Sequence, residues 1–267
     1  MMTSGRHLLA ALVVVSLLSA SRAQSDLESP EEGGFSVLPG CGTQKMDLML
    51  VIDTSENEAA FKEFQDFASD IIRFANPDTG LVRVGVVAYS SEVNHRIRLS
   101  DYSRTADLVS AVESLKFQPG RRDTSGGLQS MRQLFRETLG DRPDAPNVAL
   151  LLTSGNSVLR TEEVSKEGRL AHDADINVFV VGVGVQDERE INDIVSSPTD
   201  ETKYLVDSTD DLEWMPDVVF NQMCISESIH HFKGIRFRPC ETHFPILSVI
   251  PVAFPSFKTY LFRKAFT

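Results

Sequence analysis

Asp53, Ser55 and Asn57 follow an apolar run at two-residue steps in the stretch "VIDTSEN". One carboxylate, one hydroxyl and one amide oxygen on a single turn are ligands that a hard cation such as Mg²⁺ accepts. The same stretch has a structural use. Ser55 and Glu58 fit the S-x-x-E capping box, which satisfies the free N–H groups at a helix start. The two roles are compatible, because a cap at this point faces the same cleft.

Ser154 is the second candidate. It closes the run "NVALLLTS", at the carboxyl end of an expected strand, where open α/β sheets hold their ligands. A serine there can act as nucleophile, metal ligand or turn residue. A hydrolase nucleophile needs a G-x-S-x-G elbow to expose its hydroxyl, and here position 152 is Leu and position 156 is Asn. None of His95, His172, His230, His231 and His243 carries a local signature tying it to Ser154. An α/β hydrolase is therefore disfavoured, and no enzymatic activity is expected. "GVGVQD" (182–187) opens like a dinucleotide fingerprint, but its third glycine position is Asp187, so its glycines read as strand-closing residues. Cys224, His230, His231, Cys240 and His243 lack the C-x₂₋₄-C and H-x₃₋₅-H spacings of a zinc site.

The elements that must position these residues are legible as apolar runs. "MDLMLVID" (46–53), "VRVGVVAYS" (82–90), "NVALLLT" (147–153) and "INVFVVGVG" (176–184) are nearly continuous rather than alternating, which suits strands covered on both faces. "NHRIRLS" (94–100) alternates and reads as an edge strand; "KYLV" (203–206) is a short sixth. Three- and four-residue spacing predicts helices over 61–75, around Leu108, Val112 and Leu115, and around Leu128, Met131, Leu134 and Phe135. Further helices are predicted near 161–172, 188–196 and 210–222. Strands alternating with helices imply a doubly wound α/β sheet with right-handed crossovers.

Outside this rhythm lie three segments. Arg6 and His7 followed by "LLAALVVVSLLSA" and "SRA" read as a secretory signal peptide, residues 1–23. The run is too short for a membrane span. Residues 24–44 are an acidic linker broken by Pro30, Gly33, Gly34 and Pro39. Residues 225–267 hold seven of the sixteen Phe and four of the twelve Pro and carry a charge of +4; they read as a poorly ordered tail. The net charge of −12 becomes −18 on residues 24–224 once the leader and tail are set aside. Such a surface repels phosphates, excludes nucleic acid as a partner and is compatible with basic partners.

Five blocks in order, "MDLMLVIDTSEN", "VRVGVVAYSSEV", "GRRDTSGGL", "NVALLLTSGNS" and "INVFVVGVG", resemble the von Willebrand factor type A domain over residues 45–223, closest to the extracellular-matrix branch of matrilins, cochlin and collagen A modules. The resemblance implies a Rossmann-like, mostly parallel six-stranded sheet with one antiparallel edge strand and helices on both faces. It also implies a metal-ion-dependent adhesion site built from D-x-S-x-S, a later Thr and the Asp of T-D-G. Asp53 and Ser55 match that motif, and Asn57 stands at the second Ser. Arg122 stands at the metal-binding Thr, Thr124 at the Thr that follows it, and Ser154 at the T-D-G Asp.

Ser154 removes a carboxylate and Arg122 adds a fixed cation, so the site is expected to be degenerate and Ser154 to be a turn residue. No cofactor is expected; Mg²⁺ or Ca²⁺ belongs only to the alternative reading, a metal-dependent adhesion module using the Asp53/Ser55 cleft. The function expected is a secreted binding module of the extracellular matrix, with collagens, other matrix proteins or itself as partner. Cys41 and Cys224 bracket the domain and are expected to form a disulfide, since domain termini commonly lie close together.

Overall fold

The computed structural model describes residues 44–55 and 58–233, with side chains to residue 226. The leader, Cys41, Asn57, Cys240, His243 and the side chains of His230 and His231, as well as all but the last residue of the linker, lie outside that description. The compact unit that carries the sheet ends at Ser228; a second unit takes Ile229–Thr267.

Six strands form one sheet: β1 (Met46–Asp53), β2 (Val82–Tyr89), β3 (Val93–Ile97), β4 (Asn147–Thr153), β5 (Ile176–Val183) and β6 (Lys203–Val206). Their spatial order is β3-β2-β1-β4-β5-β6. Every pairing is parallel except β2–β3. This is the Rossmann-like sheet with one antiparallel edge strand that the sequence implies.

The helices are α1 (Glu58–Ala75), α2 (Thr105–Glu113), α3 (Thr124–Leu134), α4 (Thr161–His172), α5 (Glu188–Ile194), α6 (Thr199–Thr202) and α7 (Pro216–Lys233). Because successive strand residues point to opposite faces, the continuous apolar runs feed two cores. Leu48, Leu50 and Ile52 pack with Phe61, Phe64 and Ile71 of α1 and with Val219 of α7. Met49 and Val51 pack on the other face with Leu128 and Met131 of α3 and Val164 of α4. Gly85 in β2 is required by this packing: a Cβ there would lie 2.7 Å from the Met49 methyl and 2.9 Å from the Ile97 carbonyl oxygen.

Two expectations change. The single helix read near 210–222 is instead a 3₁₀ turn at Thr209–Leu212 followed by α7, which starts at Pro216. Proline lacks an N–H and has a helix-ready φ, so it begins a helix rather than continuing one. α7 then runs past Cys224 to Lys233, and Ser226 is buried and accepts a hydrogen bond from Asn177 Nδ2 at 3.1 Å. The break in pattern after Cys224 therefore falls inside a helix.

Candidate functional site

The site lies where β1 and β4 end. These strands pair in parallel with Ile52 opposite Leu152, so Asp53 and the Thr153–Ser154 turn emerge side by side. The loop before α3 brings Arg122 between them. Asp123 caps α3: its Oδ1 accepts from Gly126 N at 3.1 Å and from the Ser125 hydroxyl at 2.9 Å, and its carboxylate pairs with the Arg160 guanidinium. A carboxylate suits the positive end of a helix dipole. This clamp fixes the backbone of the neighbouring Arg122, whose carbonyl accepts from Val158 N at 2.8 Å and Leu159 N at 2.9 Å.

Asp53 is 2 % exposed and Arg122 3 %. Arg122 Nε donates to Asp53 Oδ2 at 2.6 Å, its Nη2 to Ser154 Oγ at 2.9 Å, and its Nη1 to the Asn156 carbonyl at 2.8 Å. The Ser154 hydroxyl donates to the same Asp53 oxygen at 3.0 Å, and the Ser154 N–H does so at 3.2 Å. The other Asp53 oxygen accepts from Ser55 N at 2.8 Å. A planar guanidinium with its fork of donors fills such a site well, because charge-assisted bonds are short and strong. Gly155 makes room: its φ is +149°, and a Cβ there would sit 2.9 Å from Arg122 Nη1.

Asp53, Ser55, Arg122 and Ser154 are thus brought together, and Asn57 lies outside the described residues. Ser55 Oγ and Thr124 Oγ1 are buried beside them without a hydrogen-bond partner among the described residues. The Ser55 N–H is held by Asp53, and the residues between Ser55 and α1, on which the capping-box reading turns, lie outside the described residues. Tyr89 is fully buried nearby. Its phenol is pushed above the ordinary tyrosine range first by burial and then by the negative charge of Asp53.

Sequence reasoning missed Asn156 and Glu190. Asn156 serves through its backbone carbonyl, which has no sequence signature. Its side chain ties the turn to α5, donating to the Asp187 carbonyl at 2.7 Å and accepting from Asp187 N at 3.2 Å. Glu190 accepts from Ser157 N at 2.8 Å, and burial raises its carboxyl above the ordinary glutamate value of 4.5 against the pull of this bond and of Arg122. A raised acid pKa means the folded state holds the proton more tightly than the unfolded one, so stability falls as pH rises through the window above 4.5. Glu190→Gln keeps an acceptor for Ser157 and removes that penalty. Urea titrations should show the variant gaining on the wild type from pH 4.5 upward, with the difference vanishing below.

Residues 47–217 match the von Willebrand factor type A domain. Matrilin-4 of Homo sapiens is 32 % identical over 180 residues, 64 % of this chain and 28 % of that protein. The collagen alpha-1(XX) chain of Mus musculus is 30 % identical over 183 residues, 67 % of this chain and 14 % of that one. The chain therefore spans well under two thirds of the length of these relatives. Among solved structures, proximal thread matrix protein 1 from the mussel byssus, with a zinc-occupied MIDAS motif, aligns with a TM-score of 0.60 at 23 % identity over 70 % of this chain and 47 % of that one. That similarity is one of fold. With the strand order, the family match and the two relatives in agreement, the chain belongs to the von Willebrand factor type A domain family.

Proposed function

We propose that this chain is a non-enzymatic module of the extracellular matrix that binds matrix proteins, collagens among them, without a metal ion at the end of its sheet. The matrilin and collagen relatives support the matrix assignment. The observation that carries the metal-free part is the Arg122 guanidinium bound to both Asp53 and Ser154. The residues do not fit a divalent cation. Asp53 is the only carboxylate among the family-motif positions described, and its Oδ2 is spent on Arg122 and Ser154. A fixed positive charge 2.6 Å from that oxygen opposes a second cation.

A second reading keeps a cation, and one observation favours it: the Ser55 and Thr124 hydroxyls are buried beside Asp53 with no hydrogen-bond partner among the described residues. Solid-phase binding of the full chain to collagens and matrix extract separates the two. Equal binding in EDTA and in millimolar Mg²⁺ is expected; binding abolished by EDTA would establish the cation reading. The Cys41–Cys224 disulfide belongs to this proposal as the closure of the module's base. Cys224 is buried on α7 at 3 % exposure. Peptide mapping without reduction should recover Cys41 joined to Cys224, and recovery of Cys224 joined to Cys240 would refute it.

A further inference from the structure

We infer that the outer surface of the Thr209–Leu212 turn and the first turn of α7 is a docking site for a basic segment of another protein, with Trp214 as its anchor. This rests on reading the chain as an interaction module but is separate from the Arg122 site. Trp214 is the chain's only tryptophan and is 59 % exposed; Val218 on α7 is 45 % exposed. Exposed aromatic anchors of this size are enriched where partners bind.

The indole is not carried on a loose loop. Leu212 on one side is 2 % exposed and Met215 on the other 3 %, and both belong to the core under α1 and α7. Met215 N bonds to the Leu212 carbonyl at 3.1 Å, and Val219 N bonds to the Met215 carbonyl at 3.0 Å. The backbone on both sides is held by the fold, so a partner need not order it on binding.

Charge selects the partner. Asp207, Asp210, Asp211, Glu213 and Asp217 are all exposed around this indole in the chain, and no Lys, Arg or His occurs from residue 204 through 226. None of the five carboxylates joins an ion pair among the described residues. Some exposed carboxylates elsewhere do, Asp66 with Lys62, Asp70 with Arg73 and Glu188 with Lys203, while others such as Glu63 and Asp173 stand singly among the described residues; here five occur within eleven residues. Carboxylates without a cationic partner among the described residues, close in the chain to an exposed indole, suit arginine or lysine side chains, which gain Coulomb attraction from the carboxylates and cation–π attraction from the ring.

Trp214 reports directly on the site, because intrinsic tryptophan fluorescence has no other source in the chain. The full chain titrated with an oligo-arginine peptide at low salt should show a saturable change in emission. An oligo-glutamate peptide should produce none. Raising the salt to about 1 M, where the Debye length is about 3 Å, should weaken the oligo-arginine affinity at least tenfold. The double change Asp210→Asn with Asp211→Asn should weaken it severalfold while leaving the melting temperature unchanged. Unaltered emission, or an affinity indifferent to salt and to the double change, would overturn the proposal. Neither result depends on matrix binding, so failure here and failure of the matrix reading are distinguishable.

Discussion

Arg122→Ala is expected to lower the unfolding free energy by about 3–5 kcal/mol, the usual cost of leaving a buried charge without its partner. The magnitude follows from the asymmetry of the pair. The Asp53 side chain is 0 % exposed, and in the variant its Oδ2 would keep only the Ser154 and Thr153 donors of the four groups around it. Serine and threonine dipoles do not neutralise a carboxylate removed from water. The melting temperature should fall by roughly 10 °C, since each kcal/mol is worth about 2–4 °C for a domain of this size. The Lys62–Asp66 pair supplies a control: its side chains are 57 % and 54 % exposed, and Lys62→Ala should change stability by less than about 1 kcal/mol. Chemical denaturation monitored by circular dichroism checks both. A loss for Arg122→Ala no larger than that for Lys62→Ala would show that the guanidinium does not hold Asp53.

The architecture was legible because the strands are buried on both faces. In β1 all eight residues are buried, and in β4 and β5 all but one each, so their runs carry almost no polar interruption. The edge strand was legible as an edge but not in its bounds or pattern: β3 runs Val93–Ile97 rather than 94–100, and His95 and Arg96 are exposed in succession instead of alternating with buried residues. The region after residue 207 was read poorly. Apolar spacing across Leu212, Met215, Val219 and Met223 is continuous, and the sequence signal for interruption is a single Pro216. At the site, Asp53, Ser55, Arg122 and Ser154 were found because each substitutes or matches a motif position. Asn156 acts through a carbonyl, and Glu190 belongs to a helix whose approach to the turn depends on the β4–β5 pairing. Neither contact has a local spacing to find.

The paired change Arg122→Thr with Ser154→Asp should create a divalent-cation site where the wild type has an ion pair. The wild-type cluster of Asp53 and Arg122 is neutral by formal charge; the paired change makes it −2 and leaves the buried Ser55 and Thr124 hydroxyls, which have no partner among the described residues, available as neutral oxygen ligands. Oxygen donors suit Mg²⁺ and Mn²⁺, and a second carboxylate raises the attraction for either ion. Neither single change should suffice. Arg122→Thr alone leaves Asp53 as the only carboxylate, and Ser154→Asp alone supplies Arg122 with a second partner, so the effects are non-additive as expected for groups in direct contact.

Without metal the double variant should be less stable than the wild type, because two carboxylates then face each other with no cation between them. Saturable binding with Kd at or below about 1 mM corresponds to about 4 kcal/mol or more. It should appear in calorimetry for the double variant only. Added Mg²⁺ should raise that variant's melting temperature, as a ligand that binds only the folded state must, and should leave the wild type where it was. A double variant that folds, by its near-ultraviolet dichroism, yet gives no saturable heat would mean that Arg122 and Ser154 are not what closes the site. Saturable Mg²⁺ or Mn²⁺ binding to the wild type well below millimolar, lost on Asp53→Ala, would mean that the guanidinium yields its place to the metal.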